Sequence, residues 1–143
     1  MPTRKAGAEQ AGGVAEDKMI AGIGVDLVDI RRMRRALDRQ GERFVRRIYT
    51  AEEQEYCRAH RDPAPYFAAR FAAKEALFKA LGTGWAQGVT WLDAEIRRND
   101  QGAPWLALSG RAEEVSRELS VRKIHLSLSH CEEAAVALVI LEK

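Results

Sequence analysis

From Ile20 to Val28 the chain alternates with the two-residue period of a β-strand. Ile23, Val25 and Leu27 share one face, and Gly22, Gly24 and Asp26 share the other, where two glycines leave open space around the carboxylate. The period then lengthens. Asp29 is placed to cap a helix whose apolar positions Ile30, Met33 and Leu37 recur at helical spacing. Thr50 followed by Glu53 is a capping-box pattern, so a second helix starts near Ala51. Pro63 and Pro65 close that region, and Pro65 suits the first turn of a helix over 66–81. On a wheel at about 100° per residue, Phe67, Phe71, Phe78 and Leu81 of this helix share one apolar arc. Lys74 points into the middle of that arc, and Glu75 and Lys79 stack on its border. Gly82 and Gly84 end the helix, glycine allowing the left-handed cap.

The remaining chain reads as strands with one helix inserted. Residues 89–97 alternate, Asn99 to Gly102 supplies a turn, and 105–108 return as the second arm of a hairpin. Residues 111–119 form a short amphipathic helix, 124–130 another alternating strand, and 134–141 an apolar closing strand. The summed pattern is α+β: an antiparallel sheet with helices packed on one side. Residues 1–18 lack periodicity and read as a flexible N-terminal tail, leaving 19–143 as a single domain.

At 143 residues the chain is long enough for one modest core, and its 46% hydrophobic content excludes a mostly disordered chain. Cys57 and Cys131 show neither a pairing pattern nor ligand spacing, and the first residues lack an apolar signal segment. No stretch is long and apolar enough to span a bilayer. These features lead to the expectation of a soluble cytoplasmic protein. The net charge of +2 points to no partner, but its distribution is uneven. Arginines crowd the segment from Arg31 to Arg47, where Asp38 and Glu42 are the acids. Such a run is either a solvated helix face or a surface that steers an acidic partner, protein or nucleic acid.

Candidate chemistry is sparse, and each candidate has an ordinary alternative. Asp26 sits in a strand where acids are depleted, so it is either a strand-end acid bonded to backbone or a carboxylate awaiting a cation. Glu75 and Lys79 have the spacing of a helix pair worth ~0.2–0.5 kcal/mol. Lys74, inside an aromatic arc, must snorkel, pair with an acid, or face a polar ligand. His130 ends a strand, His125 lies on that strand's opposite face, and His60 sits where it complements a helix dipole. No Walker-type or dinucleotide fingerprint is present.

The order and wording of three segments carry more. Gly22-Ile-Gly-Val-Asp-Leu-Val-Asp-Ile30 followed by arginines resembles the opening motif of the holo-[acyl-carrier-protein] synthase family. Arg70-Phe-Ala-Ala-Lys-Glu-Ala-Leu-Phe-Lys-Ala-Leu-Gly-Thr-Gly84 resembles its central signature, and Ser127-Leu-Ser-His130 its third motif. The resemblance runs from about Met19 to Leu141 with no departure at a motif position. It implies a 4′-phosphopantetheinyl transferase fold and transfer of 4′-phosphopantetheine from coenzyme A to a serine of apo-acyl carrier protein, leaving 3′,5′-ADP, in fatty-acid biosynthesis. By the same resemblance Asp26 and Glu75 bind Mg2+, Lys79 holds phosphates, and Arg70, Ser129 and His130 contact the coenzyme. Lys74 lines the site or supports Glu75, and Gly82 and Gly84 let backbone approach the nucleotide. The serine proton passes to Glu75 or to water at the metal. Arg31, Arg32, Arg39, Arg43 and Phe44 are the expected contacts to the acidic helix of a carrier protein. The family also implies a homotrimer with sites between neighbouring subunits, and no nucleic-acid or membrane partner. An RNA-binding module is the rival reading; it needs exposed aromatics for base stacking, which the sequence does not make evident. A member that binds carrier protein without catalysis is the other, and intact Asp26, Glu75 and Lys79 oppose it.

Overall fold

A computed structural model describes residues 19–143; the tail expected over 1–18 lies outside the described residues. In chain order the elements are β1 (Ile20–Asp29), α1 (Ile30–Ile48), α2 (Ala51–Arg58), α3 (Ala64–Leu81), β2 (Ala94–Arg98), β3 (Pro104–Leu108), α4 (Gly110–Glu118), β4 (Lys123–His130) and β5 (Ala134–Glu142). The caps explain most of these boundaries. Asp29 accepts from the backbone N–H groups of Arg31 and Arg32 to start α1. Thr50 and Glu53 close the expected capping box on α2, and Gly82 ends α3 at φ 78°. Gly41 (φ 57°, ψ −136°) kinks α1. The strand expected from Val89 begins later, because Trp91–Asp93 form a 3-10 turn before β2.

β1, β5 and β4 make an antiparallel sheet in that order, and β2 with β3 forms a separate hairpin. Helix α3 crosses one face of the three-stranded sheet and is buried on nearly every side. A second core, built from α1, α2 and the first half of α3, centres on Ile30, Met33, Val45, Ile48, Tyr49 and Phe67. Among the described residues, no helix is long and apolar enough to cross a membrane.

One expectation is inverted. The glycine face of β1 does not open space around Asp26; it is the face on which α3 lies. A Cβ on Gly22 would collide with the Ala80 carbonyl oxygen, and one on Gly24 with that of Ala76. Small residues on both elements thus let a helix backbone rest on a strand backbone. The apolar residues Ile23, Val25 and Leu27 point outward instead, with Leu27 70% exposed. Their cross-strand partners Ile140, Leu138 and Val136 on β5 continue this outer face, and His125, Ser127 and Ser129 of β4 complete its rows.

Gly24→Val should therefore lower the unfolding free energy by about 3 kcal/mol or more, since neither backbone can yield. A urea titration followed by far-UV circular dichroism measures this, and a loss under about 1 kcal/mol would contradict the close packing.

Candidate functional site

Because α3 sits so closely on β1, three side chains from the two elements converge. Asp26 projects from β1 beside Glu75 of α3, and both line a cavity of about 350 Å3. Asp29, Arg32, Met33, Ala36, Phe44 and Phe71 complete much of its wall, which combines charged and apolar groups. Lys79 does not pair along the helix with Glu75. Its Nζ instead donates to Asp26 Oδ1 and to the Val25 carbonyl oxygen, each at 3.0 Å. Burial pushes the Glu75 carboxyl above the usual carboxylate range; the Asp26 charge adds to this and Lys79 opposes it.

This donor set suits one kind of cation. Asp26, Asp29 and Glu75 line the cavity, Asp29 already engaged as the cap of α1, and no metal-holding cluster of three or more His, Cys, Asp or Glu exists among the described residues. Soft or fully protein-caged metals need more ligands. Magnesium takes few carboxylates and completes an octahedron with water and phosphate oxygens. The ammonium already seated on Asp26 shows that this carboxylate attracts a cation. The residues present fit Mg2+.

Arg70, Ser129 and His130 gather in a different cavity of about 360 Å3, with Tyr56, His60, Tyr66 and Arg98. The Arg70 guanidinium lies 4.0 Å from the Tyr56 ring centroid, and Arg98 lies 5.1 Å from it. His60 stacks on Tyr66 at 3.5 Å, and His130 meets that ring edge-on at 5.4 Å. Arg70 is buried, and its Nε has no hydrogen-bond partner among the described residues. Two guanidiniums and two imidazoles around stacked aromatic rings can take an anionic ring compound. Tyr56, Tyr66 and Arg98 were not singled out from sequence. Nothing in their local pattern marks them, since they meet only through packing of α2, α3, β2 and β4. His60 does contact the end of α2, through the Tyr56 carbonyl, but it also faces this cavity.

Lys74, Phe44, Gly82 and Gly84 take the following places. Lys74 touches neither cavity: its side chain is 0% exposed. Its Nζ donates to Glu53 Oε1 at 2.9 Å, to the Ile48 carbonyl at 2.7 Å and to the Trp91 carbonyl at 3.1 Å. A buried ammonium needs its protons satisfied, and this network supplies all three acceptors. Burial lowers the Lys74 pKa, and Glu53 counteracts it. Phe44 is 9% exposed, so it forms part of a cavity wall rather than a protruding anchor. Gly82 and Gly84 line neither of these cavities; their φ values of 78° and 52° account for glycine there.

Arg31, Arg32, Arg39 and Arg43 are exposed along α1, and Arg32 reaches the rim of the Asp26 cavity. Trp85 and Trp105 are exposed, contrary to the sequence reading, but they belong to other segments than the arginine helix.

Residues 22–139 match the 4′-phosphopantetheinyl transferase superfamily. The holo-[acyl-carrier-protein] synthase of Maridesulfovibrio salexigens is 50% identical over 125 residues, which is 87% of this chain and 100% of that protein. The crystal structure of the Neisseria meningitidis holo-[acyl-carrier-protein] synthase superposes with a TM-score of 0.80 at 35% identity, covering 87% of this chain and 100% of that one. The Bacillus anthracis holo-(acyl-carrier-protein) synthase, solved in complex with CoA (3′,5′-ADP), superposes with a TM-score of 0.72 at 39% identity, covering 87% and 97%.

The raised Glu75 carboxyl has a measurable sign. A group whose folded-state pKa is raised contributes stability below its unfolded pKa, and loses it as pH rises through the folded value. Glu75→Gln removes that loss, so in EDTA at neutral pH the variant should be more stable than the wild type. Solvent screening limits the gain to roughly 0.5 kcal/mol. Thermal melts should show the gain vanish below the ordinary glutamate range; a variant less stable at neutral pH would contradict the assignment.

Proposed function

The chain belongs to the 4′-phosphopantetheinyl transferase superfamily, and from that membership we propose that it is a holo-[acyl-carrier-protein] synthase. It transfers 4′-phosphopantetheine from coenzyme A to a serine of apo-acyl carrier protein, giving holo-carrier protein and 3′,5′-ADP. The observation that carries the reading is that Asp26 and Glu75 line one cavity together with Arg32, while Lys79 is bonded to Asp26.

Asp26 and Glu75 would hold Mg2+, which would supply positive charge against the charge that builds on the pyrophosphate as its bridging P–O bond breaks. Lys79 adds a point charge against the same phosphates. The carrier serine oxygen forms a bond to the β-phosphorus, and the bond to the bridging oxygen breaks and takes its electron pair to 3′,5′-ADP. Three carboxylates line the cavity. Asp26 is engaged by Lys79, and Asp29 by the helix cap it makes for α1. Glu75 has no hydrogen-bond partner among the described residues, so of the three it is the group placed to accept the serine proton.

The 3′-phosphoadenosine half belongs with Arg70, Ser129 and His130, alongside Arg98 and the Tyr66–His60 stack. No residue lines both cavities within one chain. A coenzyme molecule that uses both sets of residues is best served by two subunits, which favours a homotrimer with sites between neighbours. The exposed apolar face of Ile23, Val25, Leu27 and Leu138 supports the same reading, because monomers rarely leave such a patch in water. Arg31, Arg32, Arg39 and Arg43 receive the acidic helix of the carrier and set its orientation and on-rate. The Phe44 wall offers an apolar seat beside them. Residues 19–143 act as one domain, in the cytoplasm, in fatty-acid biosynthesis.

Intact mass of apo-acyl carrier protein incubated with the protein, coenzyme A and Mg2+ tests the reaction. One phosphopantetheine should be gained, and the gain lost with EDTA; no gain would overturn the reading. Asp26→Ala or Glu75→Ala should slow transfer about a thousandfold, matching the several kcal/mol that a metal's charge supplies.

Leu138→Asp places a charge on the outer sheet face. Light scattering should find a trimer for the unaltered protein and monomers for the variant, which should also lose transfer; an active monomer would remove the shared-site proposal.

A further inference from the structure

Lys79 has a second role that follows from where its ammonium sits, and this inference rests on the metal assignment above. Its Nζ occupies the Oδ1 edge of Asp26, one of the two carboxylates suited to the metal. The two members of this ion pair differ in freedom. The Asp26 side chain is 16% exposed and the Lys79 side chain 52% exposed. The backbones beneath them cannot separate, because Gly22 and Gly24 are seated against the carbonyls of Ala80 and Ala76. A cation arriving at Asp26 therefore meets a fixed carboxylate and a displaceable ammonium. The bond to the Val25 carbonyl holds Lys79 in place only weakly, since it is exposed to water.

We infer that Lys79 is the resident counter-cation of Asp26, that it yields this carboxylate to the divalent ion, and that it then turns to the coenzyme phosphates. In the metal-free protein it neutralises part of the charge that Asp26, Asp29 and Glu75 bring to one wall, while Arg32 stands at the rim. The same side chain competes with the metal before coenzyme arrives and recruits coenzyme afterwards. Phosphates give the displaced ammonium a new partner, so coenzyme relieves the competition. By linkage, metal must then strengthen coenzyme binding by the same factor. The device suppresses metal capture by the empty site and favours it when coenzyme is present.

Titration calorimetry with Mg2+ alone, on the full chain without coenzyme or carrier, tests this. Lys79→Met should bind Mg2+ roughly 5-fold or more tightly than the wild type, a coupling of the usual size for linked sites. Arg32→Met removes an equal charge at the rim without freeing Asp26, and should tighten Mg2+ binding clearly less. Equal effects of the two variants, or no tightening in Lys79→Met, would overturn the inference. A second measurement uses the unaltered protein. The Lys79 ammonium resonance, observed by 1H–15N correlation, should lose its hydrogen-bonded position as Mg2+ is added without coenzyme; an unmoved resonance would also overturn it. Neither result depends on transfer, so wild-type phosphopantetheine transfer can stand while this inference falls.

Discussion

Two glycines pressed against two helix carbonyls set the terms for the molecule. Gly22 and Gly24 allow α3 to lie on β1 at backbone contact distance, against the carbonyls of Ala80 and Ala76. That contact fixes the height of Asp26 against Glu75 and Lys79. A site for a hard cation needs carboxylates held to within a fraction of an ångström, and rigid backbone packing supplies this where loops would not. The same contact decides which face of the strand is free, so the site and the exposed apolar face of the sheet have one cause.

The fully buried Lys74–Glu53 pair serves a different purpose. Glu53 accepts from the backbone of Thr50 and of Ile96, while Lys74 reaches the carbonyls of Ile48 and Trp91. One ion pair thus joins the end of α1, the start of α2, the 3-10 turn and β2 to the middle of α3. Desolvating two charges costs several kcal/mol, and only a network this complete offsets it. Its location next to Glu75 in sequence puts the most constrained point of α3 beside the residue that must be best placed.

The two cavities divide the work by chemistry. One gathers the carboxylates of Asp26, Asp29 and Glu75 with the apolar Met33, Ala36 and Phe44. The other concentrates guanidinium, imidazole and aromatic rings and suits a phosphorylated nucleoside. In the proposed reading one coenzyme molecule meets the first cavity with its pyrophosphate and the second with its 3′-phosphoadenosine, and the uncovered sheet face is the proposed means of joining them between chains.

Sequence alone determined the elements and the family. Caps such as Asp29, Thr50 with Glu53, and Gly82 act within a few residues, so helix starts and stops were legible to within a residue or two. Asp26, Glu75 and Lys79 were legible because their motifs recur in a family as local strings. What lay out of reach depended on contacts between elements far apart in the chain. Alternation shows that β1 has two faces but not which one meets α3, and the glycine face won because backbone-on-backbone packing needs no side chains. Helical spacing placed Lys74 among aromatics, yet only the arrival of Glu53 from α2 decided that it pairs and leaves the site. Lys79 is four residues from Glu75, but its partner is Asp26 across the strand. Tyr56, Tyr66 and Arg98 share a cavity with His130 only after four elements pack, which tertiary structure alone decides.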